Sequence, residues 1–225
     1  MLMFKKFFLA LSFSIISFIL NLSALASSID LKESKKCERL LHYFSYKHQI
    51  PASLLQAIAM HESGWPHPEL RQTIIWPWTV HFNRQGYYFP RKEQAIRFVR
   101  EKIKQGHKNI DIGLMQLNWQ YHHQHFRNID HMLSPRANIA YGASYLLKHF
   151  KALKAWPLAV GRYHSPQRKR GANYWQAVEK KLISLRNKSK KKSDLACANY
   201  KAPGKAGAMQ NFALLSPKTP CRSKE

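Results

Sequence analysis

Acidic side chains are scarce in this 225-residue chain: Asp and Glu number 12 against 37 Lys and Arg, a formal net charge of +25. So few acids leave little choice of partner for any chemistry that needs two flanking carboxylates. The excess of cations draws the chain to polyanions: nucleic acid, anionic lipid or an acidic cell-wall polymer. Cysteine is scarce too. Cys37, Cys197 and Cys221 are an odd number, so at most one pair forms, and there is no Cys-x-x-Cys to signal a metal site. A Cys197–Cys221 bridge would tie down the tail, and a Cys37–Cys197 bridge would clamp the ends of the domain; the sequence leaves both open. Internal repeats are absent. Long apolar runs are missing after the first residues, so nothing later in the chain is built to span a bilayer.

The one long apolar run is Phe7 to Leu22. Lys5 and Lys6 precede it, and Ala24-Leu25-Ala26 follows as a small-x-small cleavage pattern, with Ser27 next. That is the layout of a secretory signal peptide covering residues 1–26. The expected location is therefore periplasmic or secreted, where disulfides are permitted. Export also separates the chain from chromosomal DNA, so no nucleic-acid partner is expected.

The remaining sequence divides by composition. Residues 30–186 have the apolar content and periodicity of one folded domain. Residues 187–225, just after Arg186, open on a lysine-rich run and continue with Pro, Gly, Ala and Ser, the composition of a mostly disordered basic tail. Such a tail is suited to an anionic envelope surface or to docking on a partner. The domain reads as mainly α with one small β-hairpin. Helices are expected over 32–48, from Pro51 to Glu62, from Pro90 to about Ile103, from Pro135 through Phe150, from Trp156 to Tyr163, and over 172–186. Ser134-Pro135 is an N-cap followed by proline at the first helical position. Residues 66–75 read as a loop with Pro66 and Pro68. Trp76 to Pro90 alternates aromatic and β-branched residues around Asn83-Arg84-Gln85-Gly86, which predicts the hairpin. It could be a structural flap or an aromatic wall beside a cleft.

Glu62 is the acid with the most suggestive setting. It falls in the last turn of an apolar helix, beside Trp65, with Gly64 and Pro66 as stop signals. The negative end of the helix dipole and apolar neighbours both disfavour its charged form. A raised carboxyl is what a general acid needs at neutral pH. His61-Glu62 does not begin a metalloprotease motif, because position 65 is Trp. His122, His123, His125 and His131 are irregularly spaced and read as a surface loop, so neither a metal nor a cofactor is expected. Tyr141, Tyr145 and Leu146, at helical spacing, read as packing residues, as do Leu114 and Leu117.

Three stretches then stand out together: Glu62-Ser63-Gly64, Gly113-Leu114-Met115-Gln116-Leu117-Asn118, and Arg162-Tyr163-His164. Between the last two lies Asn138-x-x-x-Gly142-x-x-Tyr145-Leu146. In this order the chain resembles, over about residues 37–186, the soluble lytic transglycosylases of the goose-lysozyme-like type. It is most similar to small secreted members associated with conjugation or with type III or IV secretion machines. The resemblance implies a lysozyme-like helical fold and cleavage of peptidoglycan glycan strands between N-acetylmuramic acid and N-acetylglucosamine, with a 1,6-anhydro product. It assigns catalysis to Glu62, and substrate contacts to Ser63, Gly113, Met115, Gln116, Tyr163 and His164. Where the family motif has Tyr-Asn, this chain has Tyr163-His164. Asp111, two residues before Gly113, is either a helix-start cap or a second carboxylate. In the cleft, it would bring a hydrolytic muramidase into consideration. A non-catalytic peptidoglycan-binding assembly module is the reading that dispenses with chemistry.

Overall fold

The computed structural model describes residues 26–198. Residues 1–25 of the expected signal peptide, Cys221 and the last part of the tail lie outside them. Helix α1 covers 26–47 and buries a stripe of Ser34, Cys37, Leu41 and Phe44 at helical spacing. Cys37 is free and fully buried, so the Cys37–Cys197 clamp is not formed. Burial pushes its thiol up to about 12, which keeps it protonated and inert.

Helix α2, Leu54–Ser63, is the apolar helix that ends on the candidate acid. It begins after Pro51, with Ser53 in a left-handed conformation at its N-cap, and packs Leu54, Leu55, Ile58 and Ala59 into the core. Gly64 does not end it in the left-handed form expected of a glycine stop: its backbone is extended, at φ −66° and ψ 109°. The chain runs directly into strand β1, Gly64–His67, which pairs antiparallel with β2, Gln72–Ile75. The loop expected over 66–75 is thus a hairpin. Pro66 is tolerated because β1 is an edge strand of a two-stranded sheet.

A second sheet has the order β4-β3-β5-β6, built from Thr79–Phe82 (β3), Gln85–Tyr88 (β4), Ile110–Ile112 (β5) and Leu117–Asn118 (β6). The β3–β4 hairpin is the predicted one. Its two-residue turn is Asn83-Arg84, both with positive φ (50° and 64°), the geometry of a type I′ turn. Gly86 lies in the strand, opposite His81. The hairpin's rings pack on one another and on helix α3, Lys92–Lys104. Trp76 is fully buried and donates from its indole to the Phe89 carbonyl at 2.8 Å. Tyr87 and Phe89 meet Phe98 of α3 at ring separations of 4.6 and 5.2 Å.

The remainder is helical. Two short helices, α4 (Trp119–His122) and α5 (Ile129–Met132), lead to α6 (Pro135–Leu153), α7 (Trp156–His164) and α8 (Arg168–Ala198). Ser134 stands at the N-cap of α6 but makes no side-chain cap bond. Helix α8 is longer at both ends than the 172–186 expected. Residues 187–198, read as disordered, are helical; their Lys, Ala and Leu are all good helix formers. The chain divides into two compact units after Leu182. In the second, Arg186, Lys188, Lys190 and Lys191 are exposed. Among the described residues no helix is long and apolar enough to cross a membrane.

Candidate active site

Helix α6 and the turn between β5 and β6 are locked together by one side chain. Asn138 is fully buried. Its Oδ1 accepts from the Met115 backbone N–H at 2.7 Å, and its Nδ2 donates to the carbonyls of Ile112 and Met132 at 3.0 Å each. Every hydrogen-bonding group of the amide but one lone pair is thereby used. The turn can approach this closely only because position 113 is glycine. Its φ is +80°, and a Cβ there would fall 2.6 Å from Asn138 Nδ2. One turn further along α6, Gly142 makes room for Met115, whose Cγ would be 2.9 Å from an added Cβ.

This arrangement holds up one wall of a cavity of about 850 Å³. Glu62 lines it, together with Asp111, Gln116, Tyr163 and His164. Ser63, Gly113 and Met115, expected as substrate contacts, do not. Ser63 is fully buried, its hydroxyl donating to the Ala59 carbonyl at 3.0 Å and its own carbonyl accepting from Trp76 N–H at 3.0 Å. Met115 is fully buried, and its carbonyl accepts from the Tyr163 hydroxyl at 2.8 Å. These three residues shape the wall from behind. Gln116 faces the cavity, yet its side-chain nitrogen is spent on the carbonyls of Gly113 (2.7 Å) and Thr79 (3.1 Å). What it offers a ligand is therefore its amide oxygen, not the give-and-take of a free amide.

Glu62 accepts a short hydrogen bond on Oε1 from the Tyr174 hydroxyl, which reaches in from α8. Burial pushes the Glu62 carboxyl up to about 8; the Tyr174 bond works against that rise and the charge of Asp111 adds to it. Tyr174 is itself sandwiched, with the His164 ring stacked on it at 4.4 Å and 3°, and the His61 ring edge-on at 5.1 Å. Burial lowers both imidazoles below their ordinary value. Tyr174 was not singled out in the sequence. Its signal was a tyrosine inside the apolar stripe of the last helix, where a hydroxyl needs a partner.

Asp111 is not a helix cap. It is the middle residue of β5, between Ile110 and Ile112, which both point into the core. The register places it opposite His81 on β3 and Asn118 on β6. Asn118 Nδ2 donates to its Oδ1 at 2.8 Å, and His81 Nδ1 lies 3.6 Å from its Oδ2. Burial raises the Asp111 carboxyl, and the Asn118 amide and the His81 and His164 rings pull it back.

The aromatic wall of the cavity is not the hairpin. Trp65, Trp76, Trp78 and Tyr88 bury against one another, away from the cavity. The wall is made by Tyr121, Tyr141, Tyr145 and Tyr163. Tyr141 and Tyr145 therefore correct the expectation that they serve only packing. They lie parallel, 6.2 Å apart, one helical turn from each other on α6. His122 and His125 join them: His122 Nδ1 is 3.0 Å from the Tyr141 hydroxyl, and the His125 ring stacks on Tyr141 at 4.8 Å. The expected surface loop of histidines thus lends two of its members to the cleft.

The family model described as "Transglycosylase SLT domain" matches residues 40–183. The chain belongs to that family. Its members are peptidoglycan lytic transglycosylases, lyases of the glycosidic bond, so this SLT domain is an enzyme and peptidoglycan is its substrate. The mainly α, lysozyme-like fold with a small hairpin agrees with that membership. Comparison with curated proteins found no match, and comparison with solved structures found none. The matched span holds every cavity residue named above and Tyr174.

Proposed function

We propose that Glu62 carries out the transglycosylase reaction alone, first as acid and then as base, on the bond between N-acetylmuramic acid and N-acetylglucosamine. The observation that carries this reading is its carboxyl, raised to about 8 and exposed to a cavity lined with tyrosines. Near pH 7 the acid holds its proton. It passes that proton to the glycosidic oxygen as the bond from the muramyl anomeric carbon to that oxygen breaks. The carboxylate left behind takes the proton of the same muramyl residue's 6-hydroxyl. That oxygen bonds to the anomeric carbon and closes the 1,6-anhydro ring. No water enters, and Glu62 ends protonated as it began. An intramolecular nucleophile also removes the need to position a second reactant.

The test is digestion of purified sacculi followed by product mass. The anhydro product is lighter than the hydrolysed one by one water. Glu62→Gln should clear no sacculi; a variant as active as the parent refutes the mechanism.

A second reading has one observation behind it. Asp111 lines the same cavity and interacts with Glu62 through its charge. A second carboxylate could direct a water to the anomeric carbon, as in glycosidases that use two. Products carrying the extra water, lost in Asp111→Asn, would favour it. The bond that Asp111 accepts from Asn118 and its neighbour His81 favour a structural carboxylate instead.

The same proposal extends to place. The signal-peptide pattern of residues 1–26 supports export, and the resemblance to small secreted members supports local wall opening for a secretion or conjugation machine. The exposed cations of residues 183–198 support attachment to an anionic envelope surface. Deleting 187–225 without any loss of wall sedimentation at low salt would sink that attachment role.

A further inference from the structure

Beside the catalytic cleft lies a second cavity of about 410 Å³, formed where α7 meets the start of α8. The two share Arg162 and Pro166 as a common divide. Its chemistry differs from the cleft's. Leu153, Leu158 and Trp175 give it an apolar lining, and Leu158 and Leu153 are 59% and 38% exposed. Their side chains are therefore open to an apolar ligand laid along the groove. Arg168 stands at its rim, itself exposed.

The cations here are free. Among the described residues neither Arg162 nor Arg168 is paired with an acid. Arg162 spends one N–H on the Pro166 carbonyl at 3.0 Å, which fixes its guanidinium at the divide and leaves four donors unspent. A fixed guanidinium with open donors suits a carboxylate.

Peptidoglycan supplies such a group in a fixed place. Each muramyl sugar carries a short stem peptide on its lactyl ether, with alanine methyl groups and free carboxylates. A glycan strand lying in the cleft has to send that branch out sideways. We propose that the groove bounded by Leu153, Leu158, Trp175 and Arg168 receives the stem peptide of a bound muramyl residue, whose carboxylates meet Arg162 and Arg168. The assignment rests on the reading of the Glu62 cleft as the active site. An extended peptide covers about 3.3–3.6 Å per residue, so a stem of four residues reaches about 14 Å, and the two cavities adjoin at Arg162 and Pro166. The lining meets the methyl groups and the rim meets the charges.

The test compares kcat/KM on peptide-bearing glycan strands with that on the same strands stripped of peptide by an amidase. The parent enzyme should favour the peptide-bearing strands by about fivefold, which is ~1 kcal/mol. Arg168→Glu and Leu158→Asp, both at exposed groove positions outside the cleft, should bring the ratio to about one. Cleavage of stripped strands should stay at the parental rate, which also shows that the variants are folded. A parental ratio near one, a ratio unmoved by both variants, or equal losses on both substrates overturns the assignment. A groove made for a protein partner predicts the same rate on both substrates for all three proteins. Failure of the parent to cut either substrate refutes the active-site reading, a result distinct from any change in ratio.

Discussion

Glu62→Gln should make the protein more stable as well as inactive, and only above the ordinary carboxylate range. Below about pH 4.5 the Glu62 carboxyl is protonated in both the folded and the unfolded chain, and its titration contributes nothing. Between 4.5 and about 8 the unfolded chain gives up the proton while the folded chain keeps it. The folded state then binds more protons, so stability falls as pH rises through that window. A rise from 4.5 to about 8 sets a ceiling of about 5 kcal/mol, at ~1.4 kcal/mol per unit. The carboxyl opens on the cavity, where water relieves part of the burial, so ~2 kcal/mol is the expected size. Glutamine keeps the shape and the oxygen that accepts from Tyr174, but it does not titrate. Urea or thermal unfolding of both proteins across pH 4.5–9 isolates the effect, because every other group titrates in both. The advantage of the variant should grow by ~2 kcal/mol across that range, or about 4–8 °C in Tm for a domain of this size. Two parallel stability curves would show that the fold does not hold the Glu62 proton, and the argument for a neutral acid would fall with them. In the parent, kcat/KM should decline above a limb near pH 8.

Two further substitutions should move that limb in opposite directions. Tyr174→Phe removes the bond that lowers the Glu62 carboxyl, so the alkaline limb should move up while kcat falls about tenfold, ~1.4 kcal/mol of positioning. Asp111→Asn removes a charge that raises it, so the limb should move down, with the product still anhydro by mass. Asn138→Ala should cost about 3 kcal/mol or more in urea unfolding, because it strands the Met115 N–H and two carbonyls in the core. A loss under 1 kcal/mol would show that the β5–β6 turn does not depend on Asn138.

The elements that carry a strong period were legible. The stripe Leu54, Leu55, Ile58 and Ala59 gave α2 and put Glu62 at its end, and the apolar face of α6 began at Ser134-Pro135 as expected. The failures have physical causes. Pro66 and Pro68 suggested a loop, but a proline on an edge strand loses no ladder bond, so β1 forms. The residues around Gly113 read as surfaces for sugar because a flexible glycine and a soft methionine suit a ligand. Their partners in the fold, Asn138 and Gly142, lie 25 or more residues away, and no local pattern announces that they consume the space. Tyr141 and Tyr145 were read as core because periodicity says which residues share a face, not whether that face meets protein or a cleft. Asp111, left open between a cap and a cleft carboxylate, stands in the cavity on a strand, and a local signal for that strand exists. Ile110-Asp111-Ile112 alternates with period two, which is a strand signal, and a strand places its middle residue opposite both neighbours' side chains.

Glu62 and Asp111 are both raised in a chain that carries a net charge of +25, and the two facts pull in opposite senses. Positive charge stabilises carboxylates, so a chain this basic should hold its acids low. The exposed cations do not do so here because water and salt screen them within about 8 Å at physiological ionic strength. Glu62 has no cation among the causes of its shift, only burial, a tyrosine and another acid. Burial acts at the carboxyl itself and is not screened. Lys148 and Arg162 line the same cavity, yet neither is among the groups that act on the Glu62 carboxyl, so a chain this basic still leaves the acid its proton. A lysine or arginine placed beside Tyr174 would change that, lowering the Glu62 carboxyl and removing the acid at neutral pH.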